Sequence, residues 1–341
     1  MKKILLSSEK NFYKANLHCH TNFSDGKLTP EEVKEEYKSR GYSVLAYTDH
    51  DLFIPHHELT DERFLVLSGF EMEFNENNPS DGRAYKKTCH ICAISLDREK
   101  EIQPLFGAKY VRIGNAATHI DEIKRDKSLP EYERNYSGED ISYVMKTLRE
   151  NGFFVTYNHP EWSRESYPEY MNYHGMHAFE IMNGSCLSMG FEDYNPRVYD
   201  DILSGGERIF CIGADDNHNK QARETRYWDS GVAFTVINAE KLEYKTVTDA
   251  LLHGDFYASE APEIHELIYE DGKITVKTSP ADRITCTFDI RKALVDYAEP
   301  NLLTSAEFSV PEGAGWFRIT VTDEKGRHAC TSAYFFDELN K

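Results

Sequence analysis

The chain has 341 residues, 40% of them hydrophobic, and 39 Lys and Arg against 58 Asp and Glu give a formal net charge of −19. That length and apolar content suit two domains, or one large one, with a substantial core, and argue against disorder. The charge argues against a nucleic-acid partner, and no apolar run is long enough for a membrane span or an N-terminal signal peptide, so a soluble, cytoplasmic protein is expected.

From residue 15 to about 259, short runs rich in Val, Ile, Phe and Tyr alternate with helical patterns, the signature of an α/β unit. The first run, 15–19, leads to a helix whose start is spelled out by Thr29 as N-cap, Pro30 at the first helical position and Glu32 three residues after the cap, with Gly41 as the stop. Runs at 43–47, 64–70 and 88–96 follow. A second helix is predicted over 139–150, where Ile141, Val144, Met145 and Leu148 share one face and Asn151-Gly152 ends it. Runs at 152–157, 178–182 and 208–212 bring the total to seven, and a third helix over 246–253 is closed by Gly254.

Two segments break the alternation. Residues 75–87 are polar and contain Pro79 and Gly82, and 97–136 are charged without a clear period; both read as insertions over one face. After Ala261-Pro262 the pattern becomes strand-like, with Glu270-Asp-Gly-Lys273 as a hairpin signal and Phe317, Ile319 and Val321 on one face of a further run. The expected division is therefore an α/β unit over 1–262 and a small all-β sandwich over 263–341. Of the seven cysteines, Cys19, Cys89, Cys92 and Cys211 lie in or beside apolar runs and are expected to be reduced and buried. Cys89 and Cys92 have CxxC spacing, but no second pair follows at zinc-ribbon spacing.

The chemistry concentrates at the ends of these runs. In Asn16-Leu-His18-Cys-His20, alternation along an extended chain points His18 and His20 to one side and Cys19 to the other. Asp25 follows. His50 stands in Thr48-Asp-His-Asp51, Glu71 after Gly69-Phe70, His90 at the start of the fourth run, His159 after the fifth, and Asp216 with His218 after the seventh. If strand ends converge on one face, six imidazoles and three carboxylates meet there, and divalent cations resolve the resulting conflict. Imidazole with carboxylate suits zinc, iron or manganese. By the same alternation Asp216, on the side of His218, is the ligand, and Asp215 is assigned a supporting or capping role. Arg164 and Asn183 are candidate substrate-binding residues, with Arg223 and Arg226 as weaker ones. His56 and His57 are placed near the mouth, and the remaining histidines are read as structural.

In these nine positions, His18, His20, Asp25, His50, Glu71, His90, His159, Asp216 and His218, the chain resembles the PHP family, named for its polymerase and histidinol-phosphatase members. The resemblance covers about residues 13–262, and the stretch Gly254-Asp-Phe-Tyr-Ala-Ser259 with the strand-rich tail looks like the subgroup of metal-dependent phosphoesterases and hydrolases with a small C-terminal domain. The resemblance implies a distorted seven-stranded (β/α) barrel and two or three divalent ions, with His18, His20, Glu71 and Asp216 around a buried pair, His50, Glu71, His90 and His159 on its shared side, and Asp25 with His218 at a third position. The expected function is hydrolysis of a small-molecule phosphate mono- or diester through a metal-bridging hydroxide, with Asp25, Asp216 and His218 closest to the chemistry. Amide or carbamate hydrolysis on the same ions, or a non-catalytic metal-binding module, are the alternatives. Three divalent ions would outweigh their carboxylate ligands, so the pocket can be electropositive inside an acidic protein.

Overall fold

A computed structural model of the chain describes residues 2–76, 87–192, 194–223 and 225–341. Most of the insertion expected over 75–87, with its Pro79 and Gly82, lies outside the described residues. The α/β part comprises β1 (Lys2–Leu6), β2 (Asn11–Asn16), α1 (Pro30–Ser39), β3 (Val44–Tyr47), β4 (Leu65–Asn75), β5 (Thr88–Ser95), α2 (Gly138–Glu150), β6 (Phe153–Asn158), α3 (Tyr167–Tyr170), β7 (Ala178–Asn183), α4 (Gly184–Met189), α5 (Pro196–Ser204), β8 (Phe210–Ala214), β9 (Phe234–Ala239), α6 (Tyr244–His253) and β10 (Phe256–Ser259). An all-β region follows: β11 (Ile264–Glu270), β12 (Lys273–Ala281), β13 (Arg283–Phe288), β14 (Ala293–Tyr297), β15 (Leu303–Ser309), β16 (Trp316–Thr322), β17 (His328–Thr331) and β18 (Tyr334–Phe335), closed by α7 (Phe336–Leu339).

Local chemistry sets the predicted helices where the sequence places them. Thr29 Oγ1 accepts from the Glu32 amide and the Glu32 carboxylate accepts from the Thr29 amide, a reciprocal cap that starts α1 and turns Val33 and Tyr37 inward. In α2, Ser137 caps the Asp140 amide, and Ile141, Val144, Met145 and Leu148 are fully buried. The short helices α3, α4 and α5 have too few turns to show a period in the sequence.

The seven predicted runs correspond to β2 through β8, which lie side by side in that order in one large sheet. β2, β3 and β4 are parallel, β5 is antiparallel to both β4 and β6, and β6, β7 and β8 are parallel again. The expected seven-stranded barrel is corrected here: no closed barrel forms. Among the described residues β8 and β2 share no strand ladder; a single bridge between Cys19 and Asn217, hydrogen bonds from the Asp216 amide to His18 O (3.0 Å) and from the His20 amide to Asn217 O (3.1 Å), and side-chain contacts of Asn16 join them near their ends. β5 thus runs against β4, and β6 against β5, so β6 regains the direction of β4.

The sheet continues past β2 through β9, β10, β17, β16, β13 and β14. β1, β11, β12 and β15 form a second, four-stranded sheet. Leu6, Leu267, Ile274, Val276 and Phe308 from this sheet pack with Ile284, Phe317, Ile319 and Val321 of the large one in a shared apolar core. Thus β1 pairs with β11, and β10 with β17, across the expected division at 262. All seven cysteines are free and buried. No helix among the described residues is long and apolar enough to cross a membrane.

Candidate metal centre

The candidate centre is assembled where β2, β3, β4, β6, β7 and β8 end and β5 begins. Asn16 Oδ1 accepts from the Asp215 amide (2.9 Å), which ties the end of β2 to that of β8. Beyond it His18 and His20 emerge on one side, with their Nε2 atoms 3.1 Å apart, while Cys19 packs into the apolar core behind. Asp49 fixes the next turn, accepting from the Thr21 amide and hydroxyl (2.8 and 2.7 Å) and from the Ser24 hydroxyl (2.5 Å). A Cβ on Gly26 would stand 2.6 Å from His20 O, so only glycine lets the turn fold back and set Asp25 beside His20 and His50.

Glu71 is the hub. Its Oε1 lies 3.2 Å from His18 Nε2, 3.0 Å from His90 Nδ1 and 3.4 Å from His159 Nε2, and its Oε2 lies 3.4 Å from His20 Nε2 and 3.2 Å from His50 Nδ1. Asp216 Oδ1 stands 3.3 and 3.1 Å from the Nε2 atoms of His18 and His20. Asp25 Oδ1 lies 3.3 Å from His218 Nε2 and 3.7 Å from His50 Nε2. The antiparallel course of β5 explains why His90 serves at the start of its strand: it sits opposite Glu73 of β4 and Asn158 of β6, at their carboxyl ends. His159 and Asp216 both have positive φ, 26° and 52°, a backbone state that non-glycine residues avoid and that concentrates at functional sites.

All nine side chains expected as ligands therefore meet in one place, in overlapping groups whose donor atoms lie within 4.8 Å of one another: His20 with Asp25, His50 and His218; His18 with His159 and Asp216; His50 with Glu71 and His90. The donors fit divalent ions. Among the described residues, His20 Nδ1, His50 Nδ1, Asp25 Oδ1 and Asp216 Oδ1 are buried without a hydrogen-bond partner, which is costly unless a cation binds them. Burial alone pushes the carboxyls of Glu71 and Asp216 up, but the surrounding imidazoles outweigh it and hold both below the ordinary carboxylate range. Burial drives His50 the other way, down to about 3, so it stands neutral with a lone pair to offer.

Supporting residues hold this arrangement. The Glu180 carboxylate on β7 accepts from His18 Nδ1 (2.9 Å), which leaves His18 Nε2 to face the cluster, and also from the His159 amide (3.1 Å). Asn183 donates to Glu180 (2.8 Å) and to Asp216 Oδ2 (3.2 Å). Its amide, expected to meet substrate, is buried and engaged with these two carboxylates, and Asn183 is not among the residues lining the cavity over the cluster. Asp215 turns away, accepting from the amides of Gly231, Val232 and Ala233 (2.6 to 2.9 Å) and from the Tyr37 hydroxyl, and burial pushes it up to about 6. The sequence reading missed Glu180; a lone carboxylate inside the apolar run 178–182 was the available signal.

A cavity of about 320 Å³ opens over the cluster. Ile113, Trp162 and Met189 supply its apolar wall, and Glu73, Ser188, Lys220 and Gln221 its polar one. Trp162 stands edge-on to His90 and His159, with ring centroids 5.2 and 5.3 Å away. Lys220 Nζ lies 2.8 Å from Asp25 Oδ2. Arg164 is exposed and lies outside this lining, as do His56 and His57, so the structure does not bring them to the site. Arg223 is paired with Glu36 (2.6 Å), also away from it, and Arg226 lies over the Tyr227 ring. The 97–136 insertion does reach the centre: Arg134 is clamped on Asp51 and donates to Glu73 O (2.9 Å), and Arg112 pairs with Glu73 Oε1 (2.8 Å). A larger groove, about 680 Å³, beside α2 and α3 holds no ligating cluster among the described residues.

The sequence profile of the PHP domain matches residues 16–179, a span that contains seven of the nine candidate ligands, with Asp216 and His218 beyond it. Curated protein sequences give no match. Among solved structures, a two-domain protein from Bacteroides vulgatus described as containing a predicted PHP-like metal-dependent phosphoesterase shares 15% identity, covers 97% of this chain and 98% of its own, and superposes with a TM-score of 0.45. An amidohydrolase from Chromobacterium violaceum with bound sulfate and no metal shares 17% identity over 60% of this chain and 87% of its own, with a TM-score of 0.37. What the comparisons show is thus a match of residues 16–179 to the PHP domain family model.

Proposed function

We propose that the chain is a metal-dependent phosphoesterase that hydrolyses a phosphate mono- or diester of a small molecule. The observation that carries this reading is the convergence of six imidazoles and three carboxylates, centred on Glu71, at the floor of a single small cavity. Two or three divalent ions held by His18, His20, Asp25, His50, Glu71, His90, His159, Asp216 and His218 would supply Lewis acidity and an activated water. Zinc, manganese and iron suit that donor set.

The chain's own residues do the rest. Glu180 keeps His18 in the tautomer that presents Nε2, and Asn183 holds one oxygen of Asp216 so that the other faces the imidazoles. Asp25 and His218 are the most open of the nine, on the cavity side, where they can hold or pass the proton of the departing alcohol. Lys220 offers a cation to an anionic substrate that releases it from Asp25. Trp162, Ile113 and Met189 give an organic group an apolar surface and limit water. Seven reduced, buried thiols suit a cytoplasmic setting, and the acidic surface disfavours a nucleic-acid polymer.

The test is parallel hydrolysis of a phosphomonoester, a cyclic phosphodiester and an aryl carbamate by chelator-stripped protein reloaded with manganese, zinc or iron. Turnover of a phosphate ester that disappears on stripping is expected. Turnover of the carbamate alone, with no phosphate ester cleaved, would move the assignment to amide or carbamate hydrolysis on the same residues.

A further inference from the structure

Of the seven cysteines, Cys92 is set apart by its surroundings. Cys19, Cys89, Cys211, Cys286 and Cys330 all pack into apolar clusters, as a buried free thiol ordinarily does. Cys92 and Cys186, both buried, belong to none of these clusters; Cys186 lies on α4, and Cys92 stands among the candidate ligands. Strand register accounts for the difference. On β5 it lies two residues beyond His90, on the same face, and directly opposite Glu71 of β4. Cys89, of opposite parity, faces the core.

Three further observations concern the sulfur itself. Cys92 Sγ, a His18 ring nitrogen and a Glu71 oxygen lie within 4.8 Å of one another, a compact group that shares His18 and Glu71 with the rest of the centre. Asn158 Nδ2 lies 3.1 Å from Cys92 Sγ and 3.4 Å from Glu71 Oε1. The Thr156 hydroxyl donates to Asn158 Oδ1 (2.7 Å), which sets the amide so that its N–H groups face the sulfur and the carboxylate together. The sulfur is thereby treated as an acceptor, in the same way as the anionic oxygen beside it. Donor atoms around one ion stand roughly 3 to 4 Å apart at ordinary bond lengths, a spacing the group can reach with small side-chain movements.

We propose that Cys92 is a further metal ligand, a thiolate donor to the ion held by His18 and Glu71; this rests on the metal-centre reading above. Binding would release the thiol proton to solvent, as for any cysteine ligand. A soft donor at the deepest position would bias that position toward zinc, iron or cobalt over manganese.

The test is cobalt(II) substitution of the stripped full-length protein, read by absorption. Visible d–d bands report cobalt in the centre, and a near-ultraviolet sulfur-to-cobalt charge-transfer band reports a thiolate bound to it. Wild-type protein should show both. Cys92→Ser should lose the charge-transfer band, keep the d–d bands and the far-ultraviolet circular dichroism, and prefer zinc over manganese about tenfold less than wild type. Cys89→Ser serves as the control and should keep every band. Cobalt d–d bands without a charge-transfer band in the wild type would overturn the ligand role of Cys92 while leaving the centre standing, and this needs no variant to fold. A band that survives in Cys92→Ser would overturn it equally. Absence of all cobalt bands would overturn both the ligand role and the metal centre.

Discussion

Glu180 and Glu165 are both buried carboxylates, and their partners give them different consequences. Glu180 faces an imidazole that must present its other nitrogen to the centre. Glu180→Gln keeps the shape but replaces that acceptor with an amide group able to point a donor at His18 Nδ1. The expected outcome is metal affinity about 10- to 100-fold lower, by competition against a chelator, with unchanged circular dichroism; unchanged affinity would remove Glu180 from the positioning role. Glu165 is surrounded by the hydroxyls of Tyr136, Tyr157 and Tyr173. Burial raises its carboxyl, the hydroxyls pull it back, and the balance stands at about 7 against an ordinary 4.5. Between those values the folded chain holds a proton that the unfolded chain has released, so this site's contribution to stability is greatest at low pH and falls as pH rises toward 7. Glu165→Gln should remove that fall. Unfolding free energies at about pH 5 and about pH 8 should show the wild type losing about 2 to 3 kcal/mol relative to the variant, and an equal difference at both pH values would refute the assignment.

At the scale of elements, what was legible depended on period and caps. α1 and α2 could be read because Thr29, Pro30 and Glu32 announce one and the spacing of Ile141, Val144, Met145 and Leu148 the other. Eight of the nine candidate ligands could be read because they stand at the ends of apolar runs, where alternation fixes the side they face; Asp25 came from the family pattern. The direction of β5 could not be read: His90 looked like the start of one more parallel strand, yet it reaches the cluster because β5 runs backwards. The 97–136 segment has no period, so nothing in it revealed that Arg134 would cross to Asp51. That pair is almost entirely buried, which makes a prediction about the insertion as a unit. Arg134→Ala strands a buried carboxylate and should cost about 3 to 5 kcal/mol in chemical denaturation. Adding Asp51→Asn should recover part of that loss; no recovery would mean the arginine acts through packing on Tyr110 and Phe74 instead.

Over the whole molecule, closure and charge were the features least accessible to sequence. The family resemblance implied a closed barrel, whereas β9 and β10 continue the sheet from β2 into the all-β region, and among the described residues β8 meets β2 through the Cys19–Asn217 bridge, its neighbouring hydrogen bonds and Asn16 rather than through a strand ladder. That junction is where His18, His20, Asp216 and His218 come together, so the incomplete seam and the centre coincide. The net charge of −19 suggests a protein hostile to anions, but Asp25, Glu71 and Asp216 are turned into the cluster, where cations would reverse the local sign. Metal binding by those side chains is what the proposed function requires. The most direct measurement is the divalent-metal content per chain, by elemental analysis, of wild-type protein and Asp216→Asn after reloading and exhaustive dialysis. About two to three ions per wild-type chain and a clear loss in the variant are expected; a wild-type chain that retains less than about one ion, or a variant that retains the full complement, would contradict it.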